Sequence, residues 1–235
     1  MEKSKNSPQI TCVFPRKIDQ SIVSCLPMAS YGGEISIVQT DEEAKAAVAE
    51  ISKETLLGFD TESRPSFKRD QHYPVAILQL GGKSKVWIFR LGALQDSLAE
   101  IFAILANPGI KKVGVAVNGD ISALRKLLDF EPQNVEDISV KTRDIGIINT
   151  GLRNLAALFC AVRISKSAQM SNWSADKLTE KQIKYAATDA WISRKLYLAV
   201  EPVYNSKRYA LEPERPKKTS KLKKIRDIIK RLFSF

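Results

Sequence analysis

Two acidic residues follow an apolar stretch in the first third of the chain. Asp60 and Glu62 come directly after the run Leu-Leu-Gly-Phe at positions 56–59, and such a run predicts a buried strand. Side chains two positions apart on a strand point to the same face, so the two carboxylates converge. Their repulsion favours a hard cation such as Mg²⁺ or Mn²⁺ between them. A solvated polar strand end would give the same pattern, so this pair alone decides nothing.

A third acid, Asp120, opens a predicted helix after the apolar strand KKVGVAV. The apolar positions of that helix are Ile121, Leu124, Leu127 and Leu128. At 100° per residue, Asp120 projects between Leu124 and Leu127 on the inward stripe. A carboxylate there needs a partner, which a metal ion would supply. The alternative is a helix N-cap, because Asp is favoured there and its charge suits a helix start.

The fourth acid lies in the segment KLTEKQIKYAATDAWISRKLY. Thr179 and Gln182 have the spacing of a capping box, which predicts where this helix begins. In that register Tyr185 and Asp189 share a face that is turned toward the core. A buried acid requires a metal ion or a hydrogen-bond donor, and the Tyr185 phenol can bond a water or a phosphate oxygen. A purely structural Tyr–Asp pair is the competing interpretation.

The elements that position these residues follow from periodicity and turn signals. We predict an irregular arm over residues 1–33, followed by a regular domain. The predicted strands are at 34–38, 55–62, 75–80, 85–91, 111–117 and 138–140, and a hairpin turn is predicted at Gly81–Ser84. The predicted helices are at 41–53, 94–105, 120–128, 152–162 and 179–200. This order predicts a single α/β domain in which a mixed sheet is flanked by helices.

Composition excludes several classes of protein. The 235 residues suffice for one domain with short appendages, and 44% hydrophobic with 27% charged residues is typical of globular chains. No segment has the length of a transmembrane helix or of a secretory signal, so we expect an intracellular, cytoplasmic protein, or a nuclear one in a eukaryote. Three widely separated cysteines are expected to be free thiols. The sequence gives no indication of the oligomeric state.

The basic residues are concentrated at the carboxyl end. The net charge is +11, and residues 215–235 hold nine Lys or Arg against one acid, Asp227. Apolar residues at helical spacing in this tail predict a basic amphipathic helix. It could anchor nucleic acid, contact a membrane surface or a protein, serve as a nuclear-import signal, or pack on the domain with its charges solvated.

The motifs together resemble those of the DEDDy 3′–5′ exonucleases, in particular the Werner syndrome type and the RNase D catalytic domain. Three motifs occur in order: FDTE at 59–62, VGVAVNGDISAL at 113–124 and YAATDA at 185–190, the last preceded by SNWS at 171–174. The resemblance covers about residues 34–200, and we expect an exonuclease domain at 34–204 with a basic tail at 205–235. With 35 residues after Val200, we expect neither the helical accessory domain of RNase D nor a helicase in this sequence.

The resemblance implies an RNase H-like fold and a set of residue roles. Two divalent cations, Mg²⁺ or Mn²⁺, would be bound by Asp60, Glu62, Asp120 and Asp189, with Asp60 shared and Asp120 acting partly through water. The backbone at Thr61 would approach the terminal 3′ hydroxyl, and Tyr185 would orient the attacking water. The implied activity is hydrolysis of a DNA or RNA strand from its 3′ end. A catalytically silent nucleic-acid-binding scaffold and a phosphodiesterase of very short oligonucleotides remain as alternatives.

Overall fold

The computed structural model describes residues 12–67, 69 and 71–213. Its strands are β1 (Cys12–Phe14), β2 (Glu34–Val38), β3 (Leu56–Ser63), β4 (Val75–Gly81), β5 (Lys85–Arg90), β6 (Lys111–Gly114), β7 (Val135–Asp137) and β8 (Tyr209–Leu211). Its helices are α1 (Gln20–Cys25), α2 (Asp41–Ile51), α3 (Leu98–Ala106), α4 (Asn118–Leu124), α5 (Ile138–Ile145), α6 (Leu152–Cys160) and α7 (Glu180–Ser206), with a 3₁₀ turn at Leu91–Ala93. No helix among these described residues is long and apolar enough to cross a membrane.

Six strands form one mixed sheet in the order β2-β5-β4-β3-β6-β7. The hairpin predicted between β4 and β5 is present as an antiparallel pair, and β3 runs antiparallel to β4. The other three pairs, β2–β5, β3–β6 and β6–β7, are parallel. Strand β3, which carries Asp60 and Glu62, therefore lies inside the sheet, with partners on both sides. The predicted α/β fold with a mixed sheet is confirmed.

The alternation of side chains along β3 separates two layers of core. Leu57 and Phe59 are fully buried in a cluster that includes residues of α2 and α3. The opposite face of β3 packs against α7, and only glycine at position 58 permits this close approach, because a Cβ there would lie 1.9 Å from the Ala190 carbonyl oxygen. Because Ala190 follows Asp189 directly, this contact also brings Asp189 to the sheet face that carries Asp60.

The start of α7 agrees with the sequence prediction. Thr179 is the N-cap, its hydroxyl accepts a hydrogen bond from the Gln182 amide, and the Gln182 side chain accepts one from the Thr179 amide. The helix continues to Ser206, six residues beyond the predicted end, with Pro202 inside its last turns. The capping box thus fixes the register that places Tyr185 and Asp189 on one face.

Several predicted boundaries were wrong. The strand expected at 138–140 is the start of α5, and β7 occupies 135–137 instead, because Asp137 caps the helix by accepting a hydrogen bond from the Ser139 amide at 2.8 Å. Helix α3 begins at Leu98 rather than at 94, after the 3₁₀ turn. Strand β6 ends at Gly114 because Ala116 has a left-handed backbone with φ of 63°.

The expectation of an irregular arm was also wrong for the part of it that the structure describes. Strand β1 pairs in parallel with β8, so the segment before the sheet meets the segment after α7. The Phe14 ring lies 4.8 Å from that of Phe159 in α6, measured between centroids. The Tyr31 amide donates a hydrogen bond of 3.0 Å to the Thr188 hydroxyl in α7. The predicted helix of the basic tail lies outside the described residues.

Candidate active site

Three of the four predicted acids meet in space. Oxygen atoms of Asp60, Glu62 and Asp189 all lie within 4.8 Å of one another. Asp60 and Glu62 project from β3, and Asp189 projects from the middle of α7, where it is only 5% exposed. The strand period and the helix register, which were independent predictions, therefore converge on one point above the sheet.

Burial raises the pKa of every carboxyl group in this cluster, and repulsion from the neighbouring acids adds to the shift at Asp60 and Glu62. Desolvation is the largest cause for Asp60, whose pKa lies well above its ordinary value, and the charges of Asp189, Asp120 and Glu62 add to it. The pKa of Glu62 is raised to about 8 by burial, then by Asp189 and Asp120. Burial raises the pKa of Asp189 to about 7, although Tyr185 and Arg153 oppose the shift. Gathering these acids without a cation is therefore unfavourable near neutral pH.

Tyr185 lies one helical turn before Asp189 and is held by an aromatic neighbour. Its ring is 6.0 Å from that of Trp173, centroid to centroid, and Trp173 is fully buried. Burial raises the pKa of the Tyr185 phenol above its ordinary range, and the charges of Asp189 and Glu62 raise it further. The hydroxyl therefore stays protonated at neutral pH and acts as a hydrogen-bond donor. Trp173 belongs to the SNWS segment, which explains why that segment accompanies the third motif.

Asp120 reaches the cluster through a neighbour. The Thr61 hydroxyl donates a hydrogen bond of 2.5 Å to the Asp120 carboxylate. Asp120 is the third residue of α4, whose N-cap is Val117, so the N-cap interpretation was wrong. Burial raises the pKa of Asp120 as well, and the Thr61 hydrogen bond partly offsets this. The four acids thus form a set of three in mutual contact and one attached through Thr61.

The loop that presents Asp120 is held by a residue that the sequence did not reveal as part of the site. The Asp137 carboxylate accepts a hydrogen bond from the Ala116 amide at 3.0 Å, in addition to the one from the Ser139 amide at the start of α5. It thereby stabilises the left-handed backbone at Ala116, which a non-glycine residue adopts at a cost. An Asp at the end of a short strand is the only signal that could have pointed to it.

An open cleft of about 400 Å³ lies over the carboxylates. Its walls include Val115 and Ala116 beside α4, Leu152, Arg153 and Asn154 at the start of α6, and Ile164, Gln169 and Ser193. Val115 and Ala116 belong to the second sequence motif, whereas no sequence signal pointed to the other wall residues. A second cavity of about 280 Å³ lies beside it and shares Tyr185 and Asp189 with the cleft.

Gln79 is a further residue that sequence reasoning missed. It lies directly across from Asp60 in the β3–β4 pair and is fully buried. Neither atom of its amide has a hydrogen-bond partner among the described residues. The sequence indicated only an apolar strand at this position. The buried Gln79 amide adds a polar group to the sheet beside Asp60.

The donor set fits a divalent cation. Mg²⁺ and Ca²⁺ bind carboxylate oxygens at about 2.0–2.6 Å, so oxygens within 4.8 Å of one another can contact the same ion. The donors are all oxygens, which suits a hard cation rather than zinc or copper. Burial, and then the charges of the neighbouring acids, raise the pKa of Asp60 and of Glu62, and a bound cation would stabilise both in their ionised form. The single histidine, His72, lies exposed between β3 and β4 and outside the cluster.

Fold and site together describe an α/β protein with a mixed sheet and a cluster of carboxylates in an open cleft, where a divalent cation could bind. A family model for the 3′–5′ exonuclease domain matches residues 35–204 of the chain. The chain belongs to this family, and the resemblance inferred from its three motifs is confirmed.

Curated relatives and solved structures agree with this placement. Ribonuclease D of Gluconacetobacter diazotrophicus is 29% identical over 164 residues, which is 68% of this chain and 41% of that protein. The bifunctional 3′-5′ exonuclease/ATP-dependent helicase WRN of Mus musculus is 32% identical over 152 residues, covering 63% of this chain and 11% of the relative. The crystal structure of the Nibbler EXO domain from Aedes aegypti shares the fold, with a TM-score of 0.67, 21% identity and coverage of 75% of this chain and 91% of that one. The chain thus spans less than half the length of these two curated relatives.

Proposed function

We propose that the chain is a divalent-cation-dependent 3′–5′ exonuclease that hydrolyses phosphodiester bonds of DNA or RNA from the 3′ end. The observation that carries the proposal is the meeting of Asp60, Glu62 and Asp189 within 4.8 Å in an open cleft. Membership of the 3′–5′ exonuclease family supports it. The cleft is open on one side, which suits a polymer end better than a small enclosed substrate.

Each residue of the cluster has a proposed role. Asp60, Glu62 and Asp189 would hold one cation directly, and Asp60 would also contribute to holding a second. Asp120, which is tied to Thr61 rather than to the other acids, acts partly through water. Thr61 lines the cleft, and its backbone would approach the terminal 3′ hydroxyl.

The chemistry requires charge to be offset at a phosphodiester and a water to be oriented toward phosphorus. Bound divalent cations would polarise the phosphate and lower the pKa of the attacking water. The Tyr185 phenol, protonated at neutral pH, donates a hydrogen bond that orients this water or a phosphate oxygen. Attack breaks the bond between phosphorus and the 3′ oxygen of the penultimate nucleotide, and the terminal nucleotide leaves with a 5′ phosphate.

A single-strand digestion assay tests the proposal. Strands of DNA and of RNA, each labelled at the 5′ end, are incubated with the protein in Mg²⁺, in Mn²⁺ and in EDTA. We expect a ladder that shortens from the 3′ end in at least one metal and no shortening in EDTA. The Asp60→Ala and Asp189→Ala variants should be inactive and folded, whereas Asp96→Asn, an exposed acid outside the cleft, should digest like the parent.

The alternatives are separate outcomes of the same assay. Binding of the strand without shortening in either metal would contradict the proposal and favour a scaffold. Digestion limited to the shortest members of an oligonucleotide length series would favour a phosphodiesterase of very short oligonucleotides. Parent-like digestion by Asp189→Ala would show that the site has been assigned wrongly. Comparing rates in Mg²⁺ and Mn²⁺, on DNA and on RNA, identifies the preferred metal and polymer.

The basic tail is proposed to add affinity for the anionic strand. Its nine basic residues against one acid give residues 215–235 a strong positive field. Deleting these residues should weaken strand binding and reduce its dependence on salt. Unchanged affinity and salt dependence would favour a membrane-surface, protein-contact or purely structural tail instead.

A further inference from the structure

One cationic side chain stands among the acids of the cleft. Of the described residues that line it, Arg153 is the only Lys or Arg, against Asp60, Glu62 and Asp189. Arg153 is the second residue of α6 and is half-buried. Removing a guanidinium even partly from water costs free energy unless an anion or a hydrogen-bond acceptor compensates it.

The guanidinium of Arg153 has no partner in the described part of the chain. No ion pair within 4.0 Å and no hydrogen bond of its side chain is present there, although other arginines of the domain are bonded: Arg163 to the Leu26 carbonyl and Arg194 to the Leu56 carbonyl. Its charge lies close enough to Asp189 to favour the ionised carboxylate and lower the pKa of that group. The two groups are thus neighbours in the cleft without forming an ion pair.

The surroundings of Arg153 suit one kind of ligand. The adjacent walls, Val115, Ala116, Leu152 and Ile164, are uncharged and mostly apolar, which suits sugars and bases. When cations offset the carboxylates, a phosphodiester in the cleft still carries its own negative charge. A guanidinium matches two phosphate oxygens at once through a pair of parallel hydrogen bonds.

The start of α6, which carries Arg153, is fixed against the rest of the molecule. Leu155 and Ala156 are fully buried, and the Asn154 side chain accepts a hydrogen bond of 3.1 Å from the side-chain amide of Gln20 in α1. A rigid backbone at this point limits the conformational entropy that the arginine loses when it binds a ligand.

We propose that Arg153 is a phosphate-binding residue of the cleft, whose guanidinium takes two oxygens of one of the three phosphodiesters nearest the 3′ end. This inference rests on the proposed exonuclease function and deepens it. It assigns the part of the cleft formed by the start of α6 to the backbone of the nucleic-acid strand.

The test combines protein variants with strands that lack one phosphate charge. Arg153→Ala and Arg153→Lys are compared with the parent and with Arg125→Ala, an exposed arginine of similar charge outside the cleft. The ligands are 5′-labelled single strands, unmodified or with one methylphosphonate at the first, second or third linkage from the 3′ end. Affinity is measured by fluorescence anisotropy in Ca²⁺ while gels show the strand intact, and kcat and KM are measured in the most active metal.

We expect Arg153→Ala to bind the unmodified strand about tenfold or more weakly, the scale of a hydrogen-bonded charge contact. The slope of log affinity against log salt should become shallower by about 0.7, as for one lost contact to a single strand. A methylphosphonate at one of the three linkages should weaken strand binding by the parent and leave strand binding by Arg153→Ala unchanged. Arg153→Lys should retain part of the affinity, and Arg125→Ala should match the parent.

Parent-like affinity of Arg153→Ala for the unmodified strand would overturn the inference. Equal effects of the methylphosphonate on parent and variant at all three linkages would overturn it too. The inference would also be contradicted if the parent binds all three methylphosphonate strands as tightly as the unmodified strand. This result needs no variant, so the test remains valid even if Arg153→Ala folds poorly. Digestion by the parent in the metal assay, together with any of these results, would reject the role of Arg153 while leaving the exonuclease proposal intact.

Discussion

Replacing Asp189 by asparagine should stabilise the metal-free protein while abolishing its activity. The pKa of Asp189 rises from 3.8 to about 7 in the folded chain, mainly through burial. A tenfold change in an acid dissociation constant corresponds to about 1.4 kcal/mol, so ionising this group in the fold costs at most about 4 kcal/mol at pH 8. The charge of Asp189 also raises the pKa of Asp60, so the cost of ionisation is divided between the two groups. We therefore expect the substitution to raise the free energy of unfolding by about 1–3 kcal/mol.

The sign of the pH dependence follows from linkage. A carboxyl group whose pKa is raised by folding imposes no penalty below its unfolded pKa near 4, where both states are protonated. The penalty grows as pH rises from about 4 to 7, because the unfolded chain loses its proton first. The advantage of Asp189→Asn over the parent should therefore be about a third of its full size at pH 5 and nearly complete at pH 8.

Thermal and urea unfolding in EDTA at pH 5 and pH 8 measure this difference. A gain of about 2 kcal/mol would raise the melting temperature by about 4–8 °C for a domain of this size. In excess Mg²⁺ the order should reverse, because the parent gains about 2.7 kcal/mol when the ion is at about a hundred times its Kd. Asp96→Asn, the same change at an exposed position, is the control and should shift neither curve.

Two results would refute this reasoning. If Asp189→Asn is less stable than the parent in EDTA at pH 8, the carboxylate contributes more through its hydrogen bonds than it costs through burial. If Mg²⁺ stabilises parent and variant equally at pH 8, Asp189 is not part of a cation site.

Three further predictions concern packing, the Asp120 loop and the phenol. Gly58→Ala should destabilise by about 3 kcal/mol or more in urea unfolding, since its Cβ would lie 1.9 Å from the Ala190 carbonyl oxygen, whereas Gly92→Ala, with open space around it, should not. Asp137→Ala should lower the free energy of unfolding by about 1–2 kcal/mol and should lower kcat, because it removes the cap of α5 and the hydrogen bond from the Ala116 amide. Asp137→Asn keeps a hydrogen-bond acceptor at this position and should therefore lose less stability and less activity. Tyr185→Phe should lower kcat about tenfold to a hundredfold in a digestion assay with little change in melting temperature, since the ring contact with Trp173 remains; a parent-like kcat would remove the phenol from the mechanism.

Much of the fold was readable because local signals are strong where one face of an element is buried. The alternation in β3 and the capping box at Thr179 each depend on residues close together in sequence, and both predicted the observed register. The short strand and helix around Asp137 were misread, because three alternating residues carry no reliable period and the cap there serves a tertiary purpose as well. The arm was misread for a related reason: β1 is a strand only because β8 lies beside it.

For the site, the sequence determined which residue types were present and the face of the strand or helix on which each one lies. Asp60, Glu62, Tyr185 and Asp189 follow from periodicity and from motif order alone. Only the tertiary structure decided that three acids share one point while Asp120 is held through Thr61, because that depends on the close approach of α7 at Gly58. The cleft walls, and Arg153 among them, come from segments far apart in sequence, so no local pattern could have assembled them.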